Sequence, residues 1–438
     1  MHASHDGQSS RRTRSASVRR VIGLMSGTSA DGVDAVVMDI AGRGERMHAQ
    51  VVLHHHLGFP TRLRQRLLAV MAPAATSTEE IARLHAELGE VFARAALGAI
   101  RRLGSSRPPS LIGLAGQTVC HLPGRRGDGT VTLQLGDAAR VAARTGLTVV
   151  SDFRQSDVAA GGFGAPLVPW TDWVLFRHPR IGRAVQNIGG IGNVTWIPPG
   201  ARAADVVAFD TGPGNMIIDG LVALATQGRE RFDRNGRRAA RGRVLTKVLE
   251  RWLSHPYFRL RPPKTTGRED FGRPFLEREL PVLQAASSNP DDWIATATAF
   301  TARSIASSYF RYLNCFHGRS RACPTAFEVI LCGGGAHNAT LRAMLSRALA
   351  SLPVEDVRGS GGGRSRGTAE AEGTFAGVRI GMIETYGISS QAKEALSFGI
   401  LAAACMDGVP GNLPQVTGAR FPAVLGRIIR PANQGSGA

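Results

Sequence analysis

Cysteine is sparse. Cys120, Cys315, Cys323, Cys332 and Cys405 are the only five in 438 residues. They form no CxxC pair and no even-numbered framework. That excludes a disulfide scaffold and fits a reducing cytoplasm. No run of about 18 apolar residues occurs, so no transmembrane helix is expected. Lysine is scarce as well: Lys247, Lys264 and Lys393 stand among 53 basic residues. Arginine therefore carries nearly all of the +19 net charge, as a genome rich in G and C would also give. Aromatic residues are 6% of the chain and do not interleave with the basic ones. The charge thus does not read as a nucleic-acid surface, and no nucleic-acid partner is expected. A positive cleft would still draw an anionic nucleotide.

What is present suits a globular chain with two cores. The hydrophobic share is 43% and the mean hydropathy −0.06. Residues 1–20 read as a disordered basic tail without the apolar stretch of a secretory signal. Residues 356–379, rich in Gly and Arg and without periodicity, read as a flexible insertion. Residues 431–438 read as a second tail.

The most telling segment is Gly23-Leu24-Met25-Ser26-Gly27-Thr28-Ser29-Ala30-Asp31-Gly32-Val33-Asp34, between two β-branched runs. It reads as strand, glycine turn, strand. Successive turn N–H groups can form an anion-binding nest, Ser and Thr add donors, and Asp31 and Asp34 can hold Mg²⁺ or its waters. It lacks the lysine of a Walker loop and no helix clearly follows, so the Walker and Rossmann readings are weak. An ordinary hairpin turn is the competing reading. A second copy, Asn187-Ile188-Gly189-Gly190-Ile191-Gly192-Asn193, suggests an internal duplication with two lobes facing one cleft.

In order, strands are expected at 21–26, 34–40, 50–57, 111–114, 131–135 and 147–151, with a helix from Thr78 to about Leu103. A Gly- and Pro-rich connection, 152–169, then leads into the second lobe. There, strands are expected at 185–188, 193–197, 206–209 and 327–332. Helices are expected near Met216, at 238–253 and 291–313, and from Gln391 to about Met406. Asp210 and Gly212 follow a strand and precede a helix, a place that suits phosphate or Mg²⁺. Gly333-Gly334-Gly335 would let a base or ribose lie against backbone. The first lobe is drawn as 21–168 and the second as 169–430, with the C-terminal helix able to pack back on the first.

These motifs, with Gly116-Gln117-Thr118, Asp152-Phe153-Arg154, Asp157-Val158-Ala159, Phe209 to Asn215, Pro262-Pro263-Lys264 and Cys332 to Asn338, resemble the anhydro-N-acetylmuramic acid kinase family. The resemblance runs in order from about residue 20 to about 408. It implies an α/β, two-lobed actin-like ATPase fold (ribonuclease H-like), with ATP and sugar in the interlobe cleft. It implies an enzyme that uses ATP and Mg²⁺ to open a 1,6-anhydro amino sugar with water and phosphorylate O6. The partner is then a small anhydro amino sugar, and the setting is peptidoglycan recycling in the cytoplasm. Monomer and homodimer both stay open.

By the same resemblance, Asp157 is the catalytic base. Gly27, Thr28, Ser29, Ala30, Asp31, Gly32, Val33 and Asp34 form the nucleotide-phosphate segment. Gly189, Gly190, Asp210, Gly212, Gly333, Gly334 and Gly335 line the nucleotide, and Asp31 and Asp210 sit near the metal. Caps are the plainer readings of Asp157 and Asp210. The chain departs from the family pattern at Ala115, Cys120 and Phe163, where histidine, arginine and glutamine are usual. Those departures leave a kinase of another sugar, or a non-catalytic ATP or muropeptide binder, as alternatives.

Overall fold

The computed structural model describes residues 18–72, 75–104, 107–124, 129–313, 327–351 and 378–431. Most of both tails and of the 356–379 segment lies outside these residues.

Two sheets repeat one topology. In the first, β1 (Arg19–Ser26), β2 (Gly32–Ala41) and β3 (His48–Gly58) form an antiparallel meander. β4 (Leu111–Leu122) then lies parallel to β1, and β6 (Thr148–Ser151) parallel to β4. The short β5 (Val131–Leu135) pairs with the far end of β4. In the second, β7 (Gly182–Ile188), β8 (Ile191–Ile197) and β9 (Val207–Pro213) form the meander. β10 (Phe327–Cys332) and β11 (Val378–Met382) complete the parallel side. The order 3-2-1-4-6 thus recurs as 9-8-7-10-11. This is the duplicated ribonuclease H-like plan of a two-lobed actin-like ATPase.

Each strand is chosen by its two faces. Ile22, Leu24, Val33, Ala35 and Val37 are buried on one side of the first sheet. There they meet α1 (Thr61–Met71), the long α2 (Thr78–Leu103) and α3 (Ala138–Thr145). Ser77 caps α2 by accepting from the Glu80 N–H, and Glu79 and Glu80 complement the helix dipole. The other face carries Val21, Val36, Met38 and Ile40. It joins a core that also contains Val185, Ile330 and Cys332 of the second sheet. One core therefore spans both lobes.

The connection 152–169 is more ordered than a bare linker. It contains α4 (Phe153–Ala159) and runs into α5 (Val168–Phe176). After β9 come α6 (Met216–Ala225), α7 (Arg237–Arg241), α8 (Thr246–Leu253), α9 (Arg268–Phe271), α10 (Arg273–Ala286) and α11 (Pro290–Ser308). The single helix expected at 238–253 is two. Gly242 breaks it, passing so close to Asp291 that a Cβ would sit 1.9 Å from its carbonyl oxygen. The helix expected at 291–313 is α-helical to Ser308 and then one π-helical turn to Leu313.

After β10, α12 (Ala339–Ala350) packs on the second sheet. α13 (Lys393–Met406) returns to the first lobe and docks at three glycines. A Cβ on Gly23 would lie 1.7 Å from the Ala395 carbonyl oxygen, one on Gly113 2.1 Å from that of Phe398, and one on Gly399 2.2 Å from the Met38 side chain. The last strand, β12 (Arg427–Ile429), pairs antiparallel with β6. The chain thus returns to the first lobe at α13, whose apolar side chains are buried there, while β12, largely exposed, extends that sheet's edge. The basic tail is also shorter than expected, since Arg19 and Arg20 belong to β1. At the other end, residues 378 and 379 belong to β11 rather than to the insertion.

Candidate active site

The first glycine turn joins β1 to β2. Thr28, Ser29 and Asp31 are exposed on it, while Ala30 is buried with φ 48°. The Ala30 N–H closes the turn on the Gly27 carbonyl at 3.1 Å. Gln117, wholly buried in β4, holds the turn from below. Its Oε1 accepts from Ser26 Oγ at 2.6 Å, and its Nε2 donates to the Gly27 carbonyl at 3.1 Å. The Gly116-Gln117-Thr118 motif is thus the footing of the turn.

Asp34 lies one step into β2. Its Oδ1 accepts from His54 Nε2 at 2.9 Å and His56 Nδ1 at 3.0 Å. Burial, the largest influence, opposes its charge, but those hydrogen bonds and the positive charge of both histidines together hold the carboxyl below its ordinary value.

The second turn, Gly189-Gly190, joins β7 to β8 and is built from backbone. Asn215 N donates to the Gly189 carbonyl at 2.7 Å, and Gly214 N to that of Gly190 at 2.9 Å. In a trans peptide the next N–H points away from the carbonyl. The N–H groups of Gly190 and Ile191 therefore face away from α6. Gly333, Gly334 and Gly335 follow β10, beside β7, and stack on the same turn: a Cβ on Gly333 would lie 2.8 Å from the Ile188 carbonyl oxygen.

The glycines fall into two groups. A Cβ on Gly32 would lie 2.5 Å from the Leu57 carbonyl oxygen. On Gly212 it would lie 2.8 Å from the Phe258 ring, and on Gly335 2.3 Å from Ile188. Those glycines, with Gly333, serve internal packing. Around Gly27 the nearest atom to a Cβ is Ser29 Oγ at 3.8 Å, around Gly189 it is 3.6 Å away, and around Gly334 it is Asn215 Nδ2 at 3.9 Å. Gly190 meets only the flexible Met216 tip, at 3.3 Å. None of these four has positive φ. Neither space nor backbone strain within the protein asks for glycine there. A side chain at any of these four positions would project into open space rather than into protein.

Asp210 ends β9. Burial pushes its carboxyl up to about 6, against the Thr266 N–H, which donates to Oδ2 at 2.9 Å, and the Lys264 charge. Among the described residues no group of three or more His, Cys, Asp or Glu is placed to hold a metal ion. Asp31 and Asp210 come from different lobes, and Asp34 is engaged by its histidines. This donor set suits Mg²⁺ only in the way that ion usually binds, through substrate phosphates and one or two carboxylates.

Asp157, on α4, is wholly buried. Its Oδ1 accepts from Asn412 Nδ2 at 2.6 Å and Thr417 Oγ1 at 2.7 Å, and its Oδ2 from the Gly164 N–H at 2.8 Å. A carboxylate has about four acceptor positions, so one on Oδ2 remains. The turn 161–164 wraps the group closely, and a Cβ on Gly162 would sit 2.2 Å from Oδ2. Phe163, one of the departures from the family pattern, lays its ring over Gly418, and its N–H donates to the Thr417 carbonyl at 2.7 Å.

Sequence reasoning assigned no role to Arg154 or Glu394. Arg154 stands one turn before Asp157 on α4. Glu394 is the second residue of α13 and is exposed to solvent. Desolvation pushes its carboxyl up, Lys393 and Arg154 oppose this, and Asp34 adds to it. The three side chains of β2, α4 and α13 thus share one electrostatic neighbourhood. The signal was there: Lys393 and Glu394 are the only charges in an otherwise apolar helix.

Two lobes of matching topology, each presenting a glycine turn after its first strand, give the two-lobed ATPase architecture. The comparisons narrow this. A model of the anhydro-N-acetylmuramic acid kinase family matches residues 19–362 and 357–431. Relatives bearing that name include one from Caldanaerobacter subterraneus subsp. tengcongensis, 38% identical over 94% of this chain and 96% of its own length. Another, from Salinibacter ruber, is 40% identical over 94% and 96%. A solved ROK family glucokinase from Streptomyces griseus, in complex with glucose and AMPPNP, is 12% identical over 87% of this chain and 99% of that one, with a TM-score of 0.35. The chain belongs to the anhydro-N-acetylmuramic acid kinase family.

Proposed function

We propose that this protein is an ATP-dependent kinase that hydrolytically opens 1,6-anhydro-N-acetylmuramic acid and phosphorylates O6. The product is N-acetylmuramic acid 6-phosphate, and the setting is peptidoglycan recycling in the cytoplasm. The observation that carries the reading is the set of four glycines, Gly27, Gly189, Gly190 and Gly334, whose missing side chains leave room for a ligand rather than for protein. Another sugar, or binding without catalysis, is not favoured, because the relatives match along nearly the whole chain.

In this reading the backbone N–H groups of both turns and the hydroxyls of Thr28 and Ser29 hold the phosphates. Mg²⁺, bound through those phosphates with Asp31 and Asp210 at its edge, would neutralise charge on the transferred group. Asp157 takes the proton of the attacking water at the free position on Oδ2. Asn412, Thr417 and the Gly164 N–H fix its carboxylate and leave that one acceptor position unfilled; the side chain is enclosed, so water reaches it only when the 161–164 turn moves. Arg154, one helical turn away, supplies positive charge on the same side.

The test is direct. Purified protein with Mg·ATP and the anhydro sugar should yield ADP and the 6-phosphate in equal amounts. ATP binding without turnover, or turnover only with another sugar, would contradict the assignment.

A further inference from the structure

A buried polar seam runs between the lobes. Lys393, the first residue of α13, is 6% exposed, and Asp172, on α5, is 1% exposed. The Lys393 ammonium lies 3.0 Å from Asp172 Oδ1 and 3.2 Å from Oδ2. It also lies 3.6 Å from Cys332 Sγ, the last residue of β10. Asp172 Oδ2 accepts in addition from Thr195 Oγ1 of β8 at 2.8 Å. Thr171, the residue before Asp172, donates through Oγ1 to Ser397 Oγ, one turn after Lys393, at 2.9 Å. The cation therefore touches the first-lobe helix, the connecting helix and the second-lobe sheet at once.

Both ends of this contact lead into the site. Glu394 is the next residue after Lys393. Gly333 is the next residue after Cys332, whose Sγ also approaches the Gln186 carbonyl at 3.5 Å and Asn187 Oδ1 at 3.9 Å, directly before the second turn. A buried ion pair is a weak source of stability, because desolvation offsets its attraction; apolar replacements of similar size often match it. What it supplies is direction: three fixed contacts around one tetrahedral ammonium.

We propose that Lys393 is a positioning residue, which sets the Gly333–Gly335 segment of the second lobe in register with Glu394 and the first-lobe turn. It does so through Asp172 and Cys332 and touches no substrate itself. The proposal rests on the reading of Gly334 in this segment as nucleotide-facing.

The test is the double variant Lys393→Met/Asp172→Leu, which removes both charges and keeps the volume. It should fold with a melting temperature close to the parent's, while kcat falls by about 10-fold or more and KM for the sugar changes by less than about 3-fold. A folded double variant with unchanged kcat would overturn the proposal. Asp172→Asn, which keeps the shape, provides a second arm if the double variant does not fold. A drop of about 5-fold in kcat is expected there, and full activity would overturn the proposal equally. A parent protein inactive toward the anhydro sugar would instead fail the functional reading. An active parent beside an equally active variant would fail only this one.

Discussion

The two glycine turns occupy equivalent places in equivalent sheets, yet they are built differently. The turn after β1 is armed with side chains: Thr28, Ser29 and Asp31 on its crest, Asp34 between two histidines, and Gln117 beneath. The turn after β7 is nearly bare. Its carbonyls are used by the N–H groups of Gly214 and Asn215, and its outer face offers peptide alone. The duplication thus kept a glycine turn in both lobes but put hydroxyls and acids on one side only. Asp157, Arg154 and Glu394 lie on that same first-lobe side. A triphosphate held between the turns would meet its reacting partner from one direction, which is what a transfer reaction requires.

The difference between the lobes can be broken at several points. The largest effect is expected at Asp157. Asp157→Asn keeps the shape and removes the base, so kcat should fall about 10²- to 10⁴-fold with ATP affinity near that of the parent. A variant retaining more than about a tenth of the rate would place the base elsewhere. Next come the open glycines. Gly189→Val on the bare turn should weaken ATP binding by about 10- to 100-fold, or about 1.4–2.8 kcal/mol, with little change in melting temperature.

The packing glycines sharpen the contrast, because they should behave in the opposite way. Gly32→Ala drives a Cβ toward the Leu57 carbonyl. It should cost about 1–3 kcal/mol of stability, read from denaturant unfolding, before any effect on nucleotide is considered.

A smaller effect concerns pH. Asp219, in the first turn of α6, is pushed up to about 7, first by burial and then by Asp233. The folded protein therefore keeps this proton to near pH 7, while the unfolded chain releases it near the ordinary aspartate value. Stability from this group is full below the unfolded value and is lost as pH rises through about 7. Asp219→Asn should accordingly be more stable than the parent at pH 8, by about 1–3 kcal/mol, and no more stable at pH 4.

Much of this was legible in the chain. The glycine turns stand out because Gly, Ser, Thr and Asp crowd between β-branched runs, and the two copies announce the duplication. The strands of both meanders were legible from their β-branched and aliphatic runs; the parallel pairing and β11 were not, since they join segments far apart in the chain. Other features were hidden, since they depend on contacts distant in sequence. Which glycines face protein and which face open space is decided by Leu57, Phe258 and Ile188, far along the chain. That the C-terminal helix can return to the first lobe was legible; the close fit at Gly23, Gly113 and Gly399 that seats it, and the pairing of β12 with β6, were not. Gln117 and Arg154 lay inside recognised motifs, but their roles appear only when β4 is placed under the first turn and α4 beside α13.

The central claim is that glycines from both lobes grip one nucleotide. Calorimetric titration of ATP into the parent, Gly27→Val and Gly189→Val tests it most directly. The account predicts one site per chain in the parent and a large loss of affinity in both variants, with each still folded. Binding left intact when either turn is filled would contradict it.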